Sequence, residues 1–144
     1  MKKEYWVIVE HVDNRLVVSV NGDKVWDSDV IHDDPLMNKR INITEFLHEG
    51  EPMVNEVIFE GYNGDYGPDQ EKHDMNPWHF TYRLVSRSFD ETGNLIEERD
   101  LIKPYDEKHM SNPDMWAINN RYQLAYANDN LVVKSNFLSQ QFAE

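Results

Sequence analysis

Residues 15–26 have the sequence RLVVSVNGDKVW, and this stretch decides the fold class. Two valine-rich runs, Arg15–Val20 and Asp23–Trp26, flank the dipeptide Asn21-Gly22. Both residues of that dipeptide tolerate the positive φ of a type I′ turn, so the pattern predicts a two-residue β-hairpin. Such a hairpin joins antiparallel neighbours, and an antiparallel sheet is therefore expected around it.

The same alternation with a period of two continues outward from the hairpin. It predicts further strands over Tyr5–Val12, Ile41–Ile43, Asn55–Gly61, Phe80–Val85, Tyr122–Tyr126 and residues 131–137. Residues 27–40 and 104–113 are polar and contain proline, which predicts loops. Glu97–Asp100 fits either a charged edge strand or a loop. Thr44 is expected to cap a single helical turn that reaches Leu47 and ends at Gly50.

These elements favour an all-β fold. Eight or nine short strands joined by Gly, Asn and Asp turns, with no long helical stretch, are typical of a β-sandwich or jelly roll. No linker or internal repeat interrupts the chain, so one antiparallel sandwich domain, with one or two short helical turns, is predicted over residues 1–144.

Composition limits the class of protein. The 144 residues are 40% hydrophobic and 12% aromatic, enough for one domain with a real core. There is no cysteine, which excludes disulfides and thiolate metal sites. No apolar run is long enough to cross a bilayer, and no apolar stretch follows the basic start MKKEYW. We therefore expect a cytoplasmic protein, or one released without a cleaved signal.

The charge balance is strongly acidic. Twenty-seven acids against 14 bases give a formal net charge of −13. This field repels nucleic acid and anionic lipid, so neither is expected as a partner. It also accelerates encounter with a basic protein. The alternative is that the acids only keep the chain soluble.

Three segments in the first half of the chain resemble the galactose-binding-domain-like jelly-roll group. They are VVSVNGDKVW (17–26), INITEFLHEGE (41–51) and NEVIFEGYNG (55–64), and the stretch that contains them covers about a third of the chain. The resemblance implies the jelly-roll architecture and, by analogy, a sugar-binding end. Lectins of this shape hold calcium and galactose in a late loop with closely spaced Asp and Asn. That tight cluster is absent here, and a long stretch of chain follows residue 79.

Residues 61–79, GYNGDYGPDQEKHDMNPWH, form the most unusual connection between two predicted strands. An aromatic ring face together with planar polar groups suits a sugar, which makes Tyr62, Asn63, Asp65, Asn76 and Trp78 the candidate sugar-binding residues. Calcium is a further hypothesis, with Asp65, Asp69 and Asp74 as oxygen donors, although the spacing is not that of an EF-hand. The alternatives are a solvated acidic loop and a Trp78 ring packed on the core.

Catalytic patterns are missing from the sequence. There is no GxSxG, no HExxH and no phosphate-binding glycine loop. Glu97-Glu98 and Asp33-Asp34 are adjacent pairs whose side chains diverge in an extended strand. His73 and His79 flank the long connection and are candidates to meet in space, against the alternative of scattered surface histidines. We expect no enzymatic activity and no cofactor, with calcium kept open.

Acids and aromatics together favour binding to a protein. Tight interfaces use buried aromatic anchors ringed by charge. The candidate partner-binding residues are Asp33, Asp34, Asp65, Tyr66, Asp69, Glu71, Asp74 and Trp78. The first hypothesis is thus a non-enzymatic acidic inhibitor, similar in charge and size to immunity proteins, that occludes a basic partner such as a nuclease toxin. The alternative is a carbohydrate-binding module, assisted or not by calcium. A structural accessory domain without a small ligand is the third hypothesis.

Overall fold

The computed structural model describes residues 2–13, 15–29, 37–49, 54–62, 78–109, 117–128 and 130–138, and for Trp78, Lys108 and His109 it describes the backbone alone. These residues form ten strands: β1 (Lys2–Val12), β2 (Arg15–Val20), β3 (Asp23–Asp27), β4 (Lys39–Asn42), β5 (Val54–Tyr62), β6 (Trp78–Phe89), β7 (Leu95–Asp100), β8 (Tyr105–His109), β9 (Ala117–Ala127) and β10 (Asn130–Phe137). Thr44–Phe46 forms a 3₁₀ turn. In the described part of the chain, no helix is long and apolar enough to span a bilayer.

The strands form two antiparallel sheets, which confirms the predicted all-β sandwich. The first sheet has the order β4-β1-β6-β7, and β8 also pairs with β6. The second has the order β10-β9-β5-β2-β3. The Asn21-Gly22 hairpin is confirmed as well, since these residues have φ of 51° and 87° and Val20 lies opposite Asp23.

The core lies between the two sheets and follows the predicted alternation. Side chains from both sheets are fully buried there, including Val57, Phe59, Phe80, Tyr82, Leu84, Tyr122 and Leu124. Phe59 of the second sheet stacks on Tyr82 of the first, with ring centroids 3.8 Å apart and nearly parallel planes. The hydroxyls of Tyr82 and Tyr122 are hydrogen-bonded at 2.7 Å, and Asn120 donates to Tyr82 Oη at 2.9 Å. The two sheets are therefore joined by apolar packing and by a satisfied polar network.

Three local predictions were wrong. Residues 105–109, predicted as loop, form strand β8, and β4 begins at Lys39 inside the predicted loop 27–40. Thr44 is not the cap of the 3₁₀ turn, because Ile43 occupies that position without a side-chain hydrogen bond. The Thr44 hydroxyl instead accepts a hydrogen bond from the Tyr5 backbone N–H at 2.8 Å and fastens the turn to β1. Glu97–Asp100 belongs to edge strand β7, one of the two structures predicted for it.

Candidate functional site

One end of the sandwich gathers seven strand termini from both sheets. Tyr62, which ends β5, lies opposite Arg15 at the start of β2 and Ala117 at the start of β9. Only residues 13 and 14 connect β1 to β2, so the two sheets share this end. We call it the loop end and define it by the termini Val12, Arg15, Asp27, Tyr62, Trp78, His109 and Ala117.

The opposite end, here named the hairpin end, carries short turns. They connect β2 to β3 at Asn21-Gly22, β6 to β7 at Asp90–Asn94, and β9 to β10 at residues 128–129. Residues 43–53, which contain the 3₁₀ turn, also join β4 to β5 at this end, whereas the other longer connections start or finish at the loop end. Residues 63–77 join β5 to β6, residues 110–116 join β8 to β9, and the chain that follows Asp27 crosses to β4 in the other sheet.

Most of the predicted binding residues belong to these longer connections. Outside the described residues lie Asp33, Asp34, Asn63, Asp65, Tyr66, Asp69, Glu71, Asp74 and Asn76. Trp78 opens β6 opposite His109, and the structure describes its backbone alone. Tyr62 is described in full. The predictions for the nine positions outside the described residues therefore remain predictions, while the strand ends that flank them are known.

Tyr62 belongs to a polar row across the loop end of the second sheet. Its hydroxyl donates to Glu60 Oε2 at 3.2 Å, and the Arg15 guanidinium lies 5.9 Å from its ring centre. Arg15 also binds Asp27 with two hydrogen bonds, of 3.0 Å and 2.5 Å. The hydrogen bond from Arg15 holds the pKa of Asp27 at about 2. Burial, followed by the charge of Glu60, raises the pKa of Tyr62 to about 12.

These contacts decide what the row can do chemically. The Tyr62 hydroxyl and one face of its ring are already engaged, so a sugar would meet at most the other face. The Arg15 charge is offset by Asp27, a bidentate pair that also fixes both side chains. Arg15 is not among the site residues predicted from the sequence. Its place in the hairpin was the available signal, because residues 15 and 27 lie almost symmetrically about Asn21-Gly22.

A second cluster, from the first sheet, lies beside the loop end. The rings of His11 and His79 are 4.3 Å apart between centroids. His79 Nε2 contacts Asp106 Oδ1, which also accepts a hydrogen bond from Thr81 Oγ1 at 3.0 Å. The His79 contact is the main reason that the pKa of Asp106 is below its usual value. Within the described ranges, no set of three or more His, Asp or Glu side chains has the arrangement that a metal ion requires.

This cluster was missed by sequence analysis for a clear reason. His79 was expected to meet His73, which lies outside the described residues. Its observed neighbours are on β1 and β8, and β8 had been predicted as a loop. Thr81 lies directly opposite Asp106 in the β6–β8 register. A correct prediction of β8 would therefore have placed Asp106 close to Thr81 and His79. The contacts orient His79, whose Nε2 lies 3.4 Å from the Thr81 hydroxyl as well as beside the Asp106 carboxylate.

The floor of the loop end is tightly packed. A Cβ placed on Gly61 would lie 2.7 Å from two ring carbons of Phe80 and 3.0 Å from Ile118 Cγ1. Phe80 and Ile118 are themselves buried. Only glycine therefore allows β5 to approach these side chains so closely. The strand ends that carry the longer connections are set in a close-packed frame.

Comparisons with known proteins identify no family. No family model matches the sequence, and no curated protein matches it. Two solved structures of β-glucuronidase from Ruminococcus gnavus, one in complex with D-glucuronic acid, match with TM-scores of 0.32 and 0.30 and identities of 11% and 12%. The matches cover 95% of this chain and 31% and 33% of those chains, so this chain spans about a third of their length. At these TM-scores the likeness supports no argument about function.

Proposed function

We propose that this protein works by binding, without catalysis, and that its loop end occludes the functional site of a basic protein partner. The class that fits is an acidic inhibitor or immunity-type protein whose partner is a basic enzyme such as a nuclease toxin. The observation that carries the proposal is the convergence of strand termini from both sheets at one end. It gives the longer connections a common origin on the sandwich.

Charge supports this choice of partner. Residues 30–36, 63–77 and 110–116 together contain seven acids and one base, Lys72. At the neighbouring row, Arg15 is already paired with Asp27 and adds little positive field. Carboxylates presented in this way mimic the phosphates that a basic nuclease binds. Opposite fields of this kind raise association rates and exclude acidic competitors.

The geometry of Tyr62 favours this proposal over the carbohydrate alternative. A sugar platform needs an accessible ring face and polar groups that are available to hydroxyls. Tyr62 has its hydroxyl on Glu60 and Arg15 over one face of its ring. A protein interface makes no such demand, because a fixed aromatic side chain contributes contact area at low entropy cost.

The proposal can be tested by measuring inhibition of a panel of purified basic bacterial nuclease domains, which should include the product of any toxin gene adjacent in the genome. We expect at least one nuclease to be inhibited. Its association rate should fall several-fold between about 50 and about 300 mM salt, because the steering field is screened. The double variant Asp69→Lys/Glu71→Lys should slow association. Its matched control at the hairpin end, Asp23→Lys/Glu91→Lys, changes two exposed acids and should have a much smaller effect.

A glycan array, run with and without calcium, tests the alternative. A specific hit that is lost in Trp78→Ala and Asp65→Ala and is insensitive to salt, together with no inhibition across the nuclease panel, would overturn the proposal. Equal slowing by the two charge-reversal pairs would also contradict it. In that case the whole acidic surface, and not the loop end, would be steering the encounter.

A further inference from the structure

Exposed apolar side chains are concentrated on two edge strands. Among the described residues, six large apolar side chains are classed as exposed, and five of them lie on β7, on β10 or just after β10. Leu95 and Ile96 on β7 are 45% and 55% exposed, while Phe137 on β10 is 63% exposed. Val132 and Leu138 complete the set. Edge strands with exposed apolar groups are templates for pairing with another chain.

A groove lies between these two strands, at the seam of the sandwich. Its volume is about 280 Å³, and residues of both β7 and β10 line it. Tyr5, Leu101, Leu131 and Val133 supply the apolar lining, with Lys3 and Arg99 beside them. Because small-molecule pockets start at about 300 Å³, this groove suits the side chains of an extended segment better than a larger ligand.

The seam is much less acidic than the chain as a whole, although the charge of Glu49 reaches Tyr5 in the groove lining. The acids of β7 are compensated, since Asp100 pairs with Arg83, Glu98 with Arg87 and Glu97 with Arg99. Lys3 and Lys134 make no salt bridge to any residue that the structure describes, and Lys3 donates instead to Asn130 Oδ1. β10 itself contains one lysine and no acid.

We propose that the outer edge of β10 and the adjoining groove bind an extended acidic segment of another protein, which adds to the second sheet as a further strand. Its alternate apolar side chains enter the groove over Leu131 and Val133, and its carboxylates, on the opposite face of the added strand, meet Lys134. Backbone hydrogen bonds along the edge give affinity, and the alternating side chains give specificity. This surface is separate from the loop end and takes a partner segment of the opposite charge.

The charge argument selects this occupant over a second copy of the chain. Antiparallel pairing of β10 with β10, in the register centred on Lys134, would bring the two Lys134 side chains close together. It would also join two whole chains of charge −13, whereas an acidic segment brings only its own few charges against that field. Lysine on an edge strand ordinarily deters such self-pairing. The other edge of this sheet, β3, carries Asp23 and Asp27 and would repel an acidic strand.

The test uses a peptide as long as β10, eight residues, with the sequence EVEVEVEV and a fluorescent label. Fluorescence anisotropy should detect binding of this peptide, and no binding of KVKVKVKV. Methylation of alternate peptide nitrogens on the pairing edge should abolish binding. Lys134→Glu should weaken it about three- to fivefold, as one partly exposed charge pair allows, while Lys39→Glu on edge strand β4 leaves it unchanged. Amide chemical-shift changes should be confined to β7, β10 and their neighbours.

Several outcomes would overturn the proposal. They are the absence of binding, equal affinity for the acidic and basic peptides, binding that survives methylation of the pairing edge, and equal effects of the two lysine variants. Sedimentation of the protein alone would assign the edge to a second copy if it revealed a dimer that Lys134→Glu abolishes. None of these results depends on whether the loop end binds a basic protein, so the two proposals can fail separately.

Discussion

The hairpin end and the loop end of this sandwich are built in different ways. At the hairpin end, the residues within the short turns favour the turn conformation. Asn21, Gly22, Gly93 and Asn128 have positive φ, and the Asp90 carboxylate accepts hydrogen bonds from the backbone of Thr92 and Asn94. The Asp90–Asn94 turn is closed by residues within a few positions of each other, whereas Asn21 is also held by Asn55 and Glu56 of β5. Local sequence therefore favours the turns of this end, and contacts with β5 anchor one of them.

At the loop end, the contacts join residues that are far apart in the sequence. Gly61 packs against Phe80 and Ile118, Arg15 reaches Asp27, and His79 meets His11 and Asp106. The tertiary fold fixes the strand termini, and the sequence between them is free to serve another purpose. Binding residues can therefore accumulate at the loop end, because the fold does not depend on the sequences of its connections.

The largest effect should come from the hairpin end, on replacing Asn55 by alanine. The fully buried Asn55 side chain accepts hydrogen bonds from the His48 N–H and Asn21 Nδ2, and donates to the His48 carbonyl. Asn55→Ala leaves these groups unpaired and should lower the free energy of unfolding by about 3–4 kcal/mol. Urea denaturation measures this, with Asn136→Ala, an exposed position on edge strand β10, as the control. A loss below about 1 kcal/mol would mean that the turns hold without the Asn55 clamp.

The next effect tests whether the loop-end frame is equally rigid. In Gly61→Ala, the new methyl group collides with the Phe80 ring, which is buried and cannot move aside freely. We expect a loss of about 2–3 kcal/mol in the free energy of unfolding, typical of overpacking. Gly93→Ala provides a contrast, because that site has open space and its cost comes from a φ of 89°. If Gly61→Ala leaves the free energy of unfolding unchanged, the packing beneath the loop end adjusts to an added methyl group. The proposed contrast between the two ends would then be wrong.

The same contrast explains how much of the fold the sequence could predict. The β2–β3 hairpin and the inward-facing rows of β5, β6 and β9 follow from turn chemistry and alternation. Strands β5, β6 and β9 lie inside their sheets, where burial of one face requires apolar residues at alternate positions. β8 lies at an edge, and Tyr105 is its one apolar residue, so its alternation is hidden by charge. β4 is similar, with Lys39 and Arg40 at its start.

The candidate site was predictable only in part. The strands predicted on either side of residues 61–79 are confirmed as β5 and β6, and the binding role of the connection between them stays a prediction. Arg15, His11 and Asp106 could not be associated with them, since their proximity depends on the order of strands in two sheets. A one-residue change in register would move each side chain to the other face. Alternation in the sequence indicates which side chains lie on the same face of a strand, and it does not indicate which strands are neighbours in a sheet.

Alkaline pH compares the two ends through a matched pair of tyrosines. Burial is the main cause that raises the pKa of Tyr62 at the loop end and of Tyr126 near the hairpin end, each to about 12. Because the folded pKa exceeds the unfolded value of 10.0, this stability is present below pH 10 and is lost as the pH rises through about 12. As the pH rises between these two values, the free energy of unfolding of the wild type should fall by about 1–2 kcal/mol more than that of either Tyr62→Phe or Tyr126→Phe.

Chemical denaturation at a series of pH values, followed by tyrosine absorbance, measures these losses. If both variants lose less unfolding free energy at alkaline pH than the wild type, and by a similar amount, the two ends exclude water equally well. If only Tyr126→Phe reduces the alkaline loss, the loop end opens before the rest of the sandwich and exposes Tyr62 to solvent.

Acid pH gives the smallest and most local comparison, between Asp27 and Asp90. The hydrogen bond from Arg15 lowers the pKa of Asp27 to about 2, against an ordinary value of 3.8. The stability from this pair is therefore present above pH 3.8 and is lost as the pH falls through about 2. Asp27→Asn should lower the free energy of unfolding at neutral pH by about 1–2 kcal/mol and flatten its dependence on pH in this window.

The matched variant at the hairpin end, Asp90→Asn, should act in the same direction with a smaller effect. The hydrogen bonds from Asn94 and Thr92 lower the pKa of Asp90, but its carboxylate is fully exposed and no cation pairs with it in the described residues. Thermal melts of both variants at pH 7 and at about pH 3 make the comparison. If Asp90→Asn were the more damaging change, the turn would depend on one carboxylate more than the loop end depends on its ion pair. The assignment of local order to one end and tertiary order to the other would then be reversed.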